Sequence, residues 1–371
     1  MTTIDRPIRI GIIGAGNVLP AYLQVLDRLV PRGLASEGPI CARETDRWPE
    51  LLRRRPGATL VADAHEVIES DVDLVVVITP PATHGPLVRA ALEAGKHVLV
   101  EKPFAADRAE GEALASLARE RALHVLAAPF VQLSPTLRAL WTLVHDGAIG
   151  QVHTARGLYG NAGAHWATWY HASGGGPLPE LGIYNLKSLT ALLGPGVEVL
   201  AAEARAVDRR VVDGVELVNP DPDVVHLIVR HRAGALSVIT ASQAIQHYQR
   251  PALELYGTEG TANLRGDDWD PRGFDVWRNS EGCWQGFDPI EPTWSWADGL
   301  RELVLALREG RPPLASTEHD LHLLDVLAAA RRSAIEKTAV TVDSSFDLDL
   351  RQELPAGVAH LHDHTRPADE Q

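Results

Sequence analysis
From Ile10 the chain reads IGIIGAGNVLP, an apolar run that breaks at Gly14-Ala15-Gly16 and resumes as a helical pattern. A strand-to-helix turn of this kind suits a dinucleotide pyrophosphate. Gly14 permits the tight turn, and Gly16 lets the backbone approach phosphates at a helix amino terminus, with Asn17 and Val18 completing the loop. Leu19 stands where the third glycine of the usual fingerprint belongs, and such glycines also occur without any ligand, so the motif alone leaves both readings open. Farther on, ICARET places Arg43 near the end of the second strand. An acid at that point bonds the ribose 2'-hydroxyl, whereas an arginine suits a 2'-phosphate, which leans the choice slightly toward NADP over NAD. The other reading is a solvated Arg43 with Glu44 serving the ribose.

Three more segments carry chemistry: Thr79-Pro80-Pro81-Ala82-Thr83-His84, Glu101-Lys102-Pro103, and the run Gly174-Gly175-Gly176-Pro177-Leu178-Pro179-Glu180-Leu181-Gly182-Ile183-Tyr184. In their order and spacing they resemble the Gfo/Idh/MocA oxidoreductases (glucose-fructose oxidoreductase, inositol dehydrogenase, rhizopine catabolism), and the likeness covers nearly the whole chain. The resemblance implies a catalytic lysine at Lys102, often preceding a cis proline. The residues agree: a strand end of a doubly wound sheet points into the ligand crevice, a lysine there sets a positive charge beside a developing alkoxide, and Pro103 keeps Lys102 extended. Thr79, Pro80, Pro81, His84 and Glu101 would line the coenzyme site with it.

The third segment departs from the commonest family pattern, which has Asp and His four residues apart. Here Glu180 and Tyr184 stand at those positions, as in a tyrosine-bearing branch. Residues i and i+4 share one helical face, so both side chains can reach one cleft. Tyrosine ordinarily ionises near pH 10, and a neighbouring ammonium such as Lys102 lowers that value. Tyr184 and Lys102 would then relay a hydroxyl proton while hydride moves, with Glu180 orienting the substrate. The bland alternative is a Tyr184 that only packs. Lys187 is either a second cation in the cleft or a surface lysine. Trp166, with Trp169, Tyr170, His165 and His171, offers aromatic faces for a sugar ring, or simply core.

These residues need a scaffold. Strand-like runs at 9–13, 40–43, 60–62, 73–78, 97–100 and 125–128 alternate with helical patterns such as 17–30 and 86–94, and Asp107 with Glu110 opens a further helix. Residues 73–78, DLVVVI, read as a strand buried on both faces. This is an α/β Rossmann domain, a doubly wound parallel sheet, over residues 1–128. Strand candidates at 152–158, 199–207, 224–232, 235–240, 252–256 and 274–277, then helices at 296–308 and 318–335, predict an α+β domain with an open, mostly antiparallel sheet over 129–345. Trp284, Trp294 and Trp296 are expected to pack that sheet. The remainder, 346–371, reads as a peripheral or poorly ordered tail; its His360, His362 and His364 lack a visible scaffold for a metal, and no metal is expected.

Composition narrows the partners. A formal charge of -14 disfavours nucleic acid and anionic membrane surfaces, and no apolar run reaches the length of a membrane span. Cys41 and Cys283 stand alone, which fits a reducing, cytoplasmic setting. The expectation is an NAD(P)-dependent enzyme moving hydride to or from a secondary alcohol of a sugar, cyclitol or glycoside. By family analogy it is a homo-oligomer, dimer or tetramer, built on the open sheet. Two rivals share the resemblance: a glycoside-cleaving enzyme that oxidises transiently with a retained cofactor, and a dinucleotide-binding sugar-pathway regulator without turnover, which Lys102 and Tyr184 disfavour.

Overall fold
The structure, a computed structural model, describes residues 3–165, 168–171, 175–354 and 358. The chain divides into two compact units, residues 1–130 with 295–324 and residues 131–294 with 325–371. The first holds six strands, β1 (Ile8–Ile13), β2 (Ala35–Cys41), β3 (Leu60–Val61), β4 (Leu74–Val77), β5 (His97–Val100) and β6 (Val125–Ala127). They pair in parallel in the order β3-β2-β1-β4-β5-β6, which is the doubly wound arrangement with its switch point between β1 and β4. β4 has every residue buried, as a β-branched strand covered on both faces does. The helices between are α1 (Leu19–Leu29), α2 (Trp48–Arg54), α3 (Ala64–Ile68), α4 (His84–Glu93) and α5 (Arg108–Glu120). Asp63 and Asp107 cap α3 and α5 through their carboxylates.

The second unit begins with α6 (Pro135–His145), β7 (Val152–Gly160) and α7 (Ile183–Leu193). There follow β8 (Gly196–Ala204), the hairpin β9 (Arg209–Val212) and β10 (Val215–Val218), then β11 (Val224–His231), β12 (Leu236–Ser242), β13 (Leu253–Gly257), β14 (Gly260–Asp267), β15 (Asp270–Arg278) and β16 (Cys283–Phe287). α8 (Gly299–Glu309) belongs to the first unit; after it and α9 (Thr317–Glu336), β17 (Val340–Thr341) closes the second unit's nine-stranded sheet, ordered β16-β15-β14-β13-β7-β12-β11-β8-β17. Only β7 with β12 pairs in parallel; the other pairs are antiparallel. Alternation along β11 buries Val225, Leu227 and Val229 and exposes His226, Ile228 and Arg230, the mark of a sheet covered on one face. α7 covers that inner face: a Cβ on Gly157 of β7 would lie 2.9 Å from Cβ of Asn185, so only glycine admits the helix this close.

Three expectations change. Trp296 belongs to the first unit, edge-on to Tyr22 at 5.8 Å, rather than to the open sheet. Residues 346–354, expected to be peripheral, bury Phe346 and Leu350. Arg138 of α6 donates to the carbonyls of Leu350 and Arg351, and Gln352 donates to that of Pro135. β2 also starts five residues earlier than its apolar end implied. His360, His362 and His364 lie outside the described residues, and no cluster of metal-ligating side chains is found among the described ones. No helix among them is long and apolar enough to cross a membrane.

Candidate active site
In the first unit the turn after β1 is built for an anion. Gly14 has φ +120°, a conformation that only glycine adopts without strain, and its amide donates to the carbonyl of Cys41. Any Cβ there would come 2.7 Å from the carbonyl oxygen of Ile78. Gly16 differs: it is exposed, and a Cβ on it would meet nothing within 4 Å. Val18 is the N-cap of α1 and offers no side-chain cap; Pro20 has no amide hydrogen, and the amides of Leu19 and Ala21 donate to the carbonyls of Gly16 and Val18, so an anion would meet the turn ahead of the helix rather than its first helical amides. Ala15 and Asn17 complete this turn. An open glycine beside an uncapped helix amino terminus at the switch point fits the pyrophosphate of a dinucleotide. At the end of β2, Ala42 is buried and its carbonyl accepts from Nε1 of Trp48, whereas Arg43 is exposed. Glu44 is 3.9 Å from Arg47.

Lys102 lies two residues past the end of β5, and its bond to Pro103 is cis, as the likeness implied. What holds it is not visible in a motif. Tyr22 of α1, fully buried, donates its hydroxyl to Oε1 of Glu101 at 2.8 Å, and the amide of Lys102 donates to Oε2 of the same carboxylate at 3.2 Å. Glu101 is thus a buried brace under the strand end, and Lys102 itself is partly exposed. Thr79, Pro80 and Pro81 form the loop after β4, tied by the hydroxyl of Thr83 donating to that of Thr79 at 2.7 Å. His84 corrects an expectation: its side chain is wholly buried, with Nδ1 2.9 Å from the carbonyl oxygen of Pro103 and Nε2 2.8 Å from that of Thr79. The ring joins the two loops and lines no ligand surface.

In the second unit, Glu180 lies in a π-type turn, Leu178–Gly182, that leads into α7. The single α-helical face expected for Glu180 and Tyr184 is therefore replaced by a widened turn followed by a regular one; such bulges are frequent where a helix serves a function. Gly182 lets this turn reach the sheet, since a Cβ there would lie 2.9 Å from that of Ala241 on β12. Glu180 is buried and Tyr184 partly exposed. The ring of Tyr159 on β7 meets that of Tyr184 edge-on, 5.7 Å away at 79°. Burial, then the carboxylates of Asp267 and Asp268, pushes the Tyr159 phenol far up, so it stays neutral. Burial and Glu180 push that of Tyr170 up to about 12.

Lys187, read as cleft cation or surface lysine, is neither exposed nor on the surface: it is fully buried in α7. Trp166 lies outside the described residues, as does the side chain of Trp169. Sequence reasoning missed Tyr22, Tyr159, Asn185, Ser188 and Asp268. Tyr22 alone had a signal, a polar tip on the buried face of an amphipathic helix.

Two family descriptions match the chain: "Oxidoreductase family, NAD-binding Rossmann fold" over residues 8–128 and "GFO/IDH/MocA C-terminal domain" over residues 137–263. A dTDP-3,4-didehydro-2,6-dideoxy-alpha-D-glucose 3-reductase from Actinomadura kijaniata is 32% identical over 56% of this chain, a match that spans 63% of that relative's length. A trans-1,2-dihydrobenzene-1,2-diol dehydrogenase from Bos taurus is 28% identical over 71% of this chain and 76% of its own. The solved structure of an oxidoreductase domain protein from Kribbella flavida shares the fold, with TM-score 0.80 and 25% identity over 91% of this chain and 100% of that one. With both of its domains matched in order, the chain belongs to the Gfo/Idh/MocA family of oxidoreductases and carries that family's NAD-binding Rossmann fold.

Proposed function
We propose that the protein interconverts a secondary alcohol and a ketone on a sugar, cyclitol or glycoside, using NADP(H) somewhat better than NAD(H). The observation that carries this reading is Lys102, set at the carboxyl end of β5 on the braced carboxylate of Glu101. The bound coenzyme supplies the hydride acceptor or donor. Gly14, Ala15, Gly16, Asn17 and Val18 hold its pyrophosphate, and Thr79, Pro80, Pro81 and Glu101 shape the walls. Lys102 keeps a positive charge beside the substrate oxygen as negative charge develops there. Tyr184 exchanges the hydroxyl proton, and Glu180 accepts a hydrogen bond from the substrate and orients it.

The coenzyme preference rests on the exposed Arg43 beyond β2, with Glu44 turned to Arg47. The substrate class rests on the sugar and diol named for the two relatives, and Trp166 is the aromatic platform offered to the ring. An oligomer through the open sheet is part of the reading: Leu200, Ile228, Leu236 and Trp284 expose apolar surface on its strands. The lone thiols Cys41 and Cys283 suit a cytoplasmic setting. The test mixes the protein with NAD or NADP and a panel of sugars, cyclitols and cyclic diols, following the absorbance of the reduced nicotinamide. Turnover lost in Lys102→Met and Tyr184→Phe supports the roles. Turnover that survives Tyr184→Phe at the wild-type rate removes Tyr184 from the chemistry.

A further inference from the structure
The loop between β14 and β15 reaches α7 in two ways. Asp268 is 1% exposed, and its Oδ2 accepts from Nδ2 of Asn185 and from Oγ of Ser188, both at 3.0 Å. Asn185 follows Tyr184 directly, and Ser188 lies one turn further along the same helix. Next to Asp268, Trp269 places its ring 6.3 Å from that of Tyr159, the residue that stands edge-on to Tyr184. One loop thus fixes both the backbone that carries the Tyr184 phenol and the aromatic wall beside it.

A buried carboxylate is an expensive tether. Removing such a charge from water costs several kcal/mol, and a well-packed apolar residue would hold the helix at less cost. Its Oδ1 has no partner, and neither has Oδ1 of Asn185. Charged, Asp268 takes two donors on one oxygen; once protonated it must also donate, and the acceptor within its own pair is Asn185 Oδ1, which requires the amide to turn. Burial raises the Asp268 carboxyl to about 7, so both states are populated near neutrality. Among the described residues, the titratable groups coupled to it include Asp267 of the same loop, Tyr248, whose hydroxyl donates to Asp267 at 2.9 Å, and Tyr159 of β7. The two phenols are held neutral by burial and the nearby carboxylates.

We propose that Asp268 and Trp269 form the positioning element of Tyr184, so that the setting of its phenol depends on whether the Asp268 carboxyl is charged. This rests on the reading of Tyr184 as acid/base, but its test does not need a known substrate. The full chain, with its six tyrosines replaced by fluorotyrosine, is followed by fluorine NMR against pH, the Tyr184 signal being assigned by its loss in Tyr184→Phe. The expected result is a shift of that signal with a midpoint near 7, abolished in Asp268→Asn and kept in Asp267→Asn. Should Asp268→Asn fail to fold, Ser188→Ala serves: loss of one donor to the carboxylate moves the midpoint upward. A Tyr184 signal flat through neutrality, or a midpoint indifferent to Asp268→Asn or Ser188→Ala, overturns the proposal. Turnover that survives Tyr184→Phe removes the underlying reading instead, whatever the signal does.

Discussion

Replacing Gly16 by alanine probes the coenzyme turn with two readouts of opposite sign. No atom lies within 4 Å of the added methyl, and Gly16 does not have a positive φ, so the folded chain accepts alanine without strain. The unfolded chain, however, loses conformational freedom, which stabilises the protein by about 0.4–1 kcal/mol. For a unit of this size that is a rise in melting temperature of roughly 1–4 °C. The same methyl occupies the space through which a pyrophosphate must approach the backbone of the turn ahead of α1. Coenzyme affinity is therefore expected to fall at least about tenfold, or 1.4 kcal/mol. Gly14→Ala is the contrast: with φ +120° and a Cβ 2.7 Å from the Ile78 carbonyl oxygen, it destabilises by about 1–3 kcal/mol or more. Melting is recorded without coenzyme, since a ligand bound only by wild type would mask the gain, and affinity is measured by calorimetry with NADPH and NADH. A Gly16→Ala protein that binds coenzyme as wild type does refutes the turn as a phosphate cradle. One that melts lower refutes the open space above Gly16.

Tyr22→Phe strands the buried Oε1 of Glu101 without its donor; unfolding in urea should show a loss of about 1–3 kcal/mol, with turnover falling alongside as Lys102 loses its brace. Gly157→Ala forces α7 away from β7, because its Cβ would lie 2.9 Å from that of Asn185. The expected cost is about 1–3 kcal/mol, with turnover reduced about tenfold or more by the displaced Tyr184 while coenzyme affinity holds. Acid weakens the fold through two histidines that burial keeps neutral, His97 and His231, each lowered to about 4. Since the unfolded chain takes up these protons first, their contribution is intact above about pH 6.5 and lost on the way down to pH 4. Urea titrations at pH 7.5 and pH 5 should differ by about 2 kcal/mol for each histidine, and His97→Asn should flatten the first unit's share.

Where apolar pattern and backbone chemistry agree, the sequence was readable. The run 73–78 became β4, the glycine turn became the start of α1, and Glu101-Lys102-Pro103 came to the end of β5 with the expected cis bond. Elsewhere tertiary context overrode the local signal. β2 carries Gly38 and Pro39 inside a strand, which reads as a turn; Gly38 is needed because a Cβ would come 2.8 Å from the Ile10 carbonyl oxygen. β14 and β16 hold glycines and polar residues and show no apolar run, yet pairing with β13 and β15 makes them strands. A π-type turn has no residue signature, so the register between Glu180 and Tyr184 could not be read from spacing. Buried partners such as Asp268 for Asn185 and Ser188, 83 and 80 residues apart, are set by sheet order, which only the folded chain reveals.

The nucleotide-binding unit is interrupted in the chain by most of the other one. α8, which packs against α1, β1 and β5, arrives only after residue 294. Asp298, just ahead of it, receives the guanidinium of Arg28 at 2.6 Å, and Gly299 faces Phe130. On the ribosome the first-made part is therefore among the last to be finished. A nascent chain exposes the flank of its parallel sheet throughout synthesis of the second unit. A fragment ending at residue 130 should be sticky and in need of a chaperone, and adding residues 295–324 as a separate peptide should quiet it.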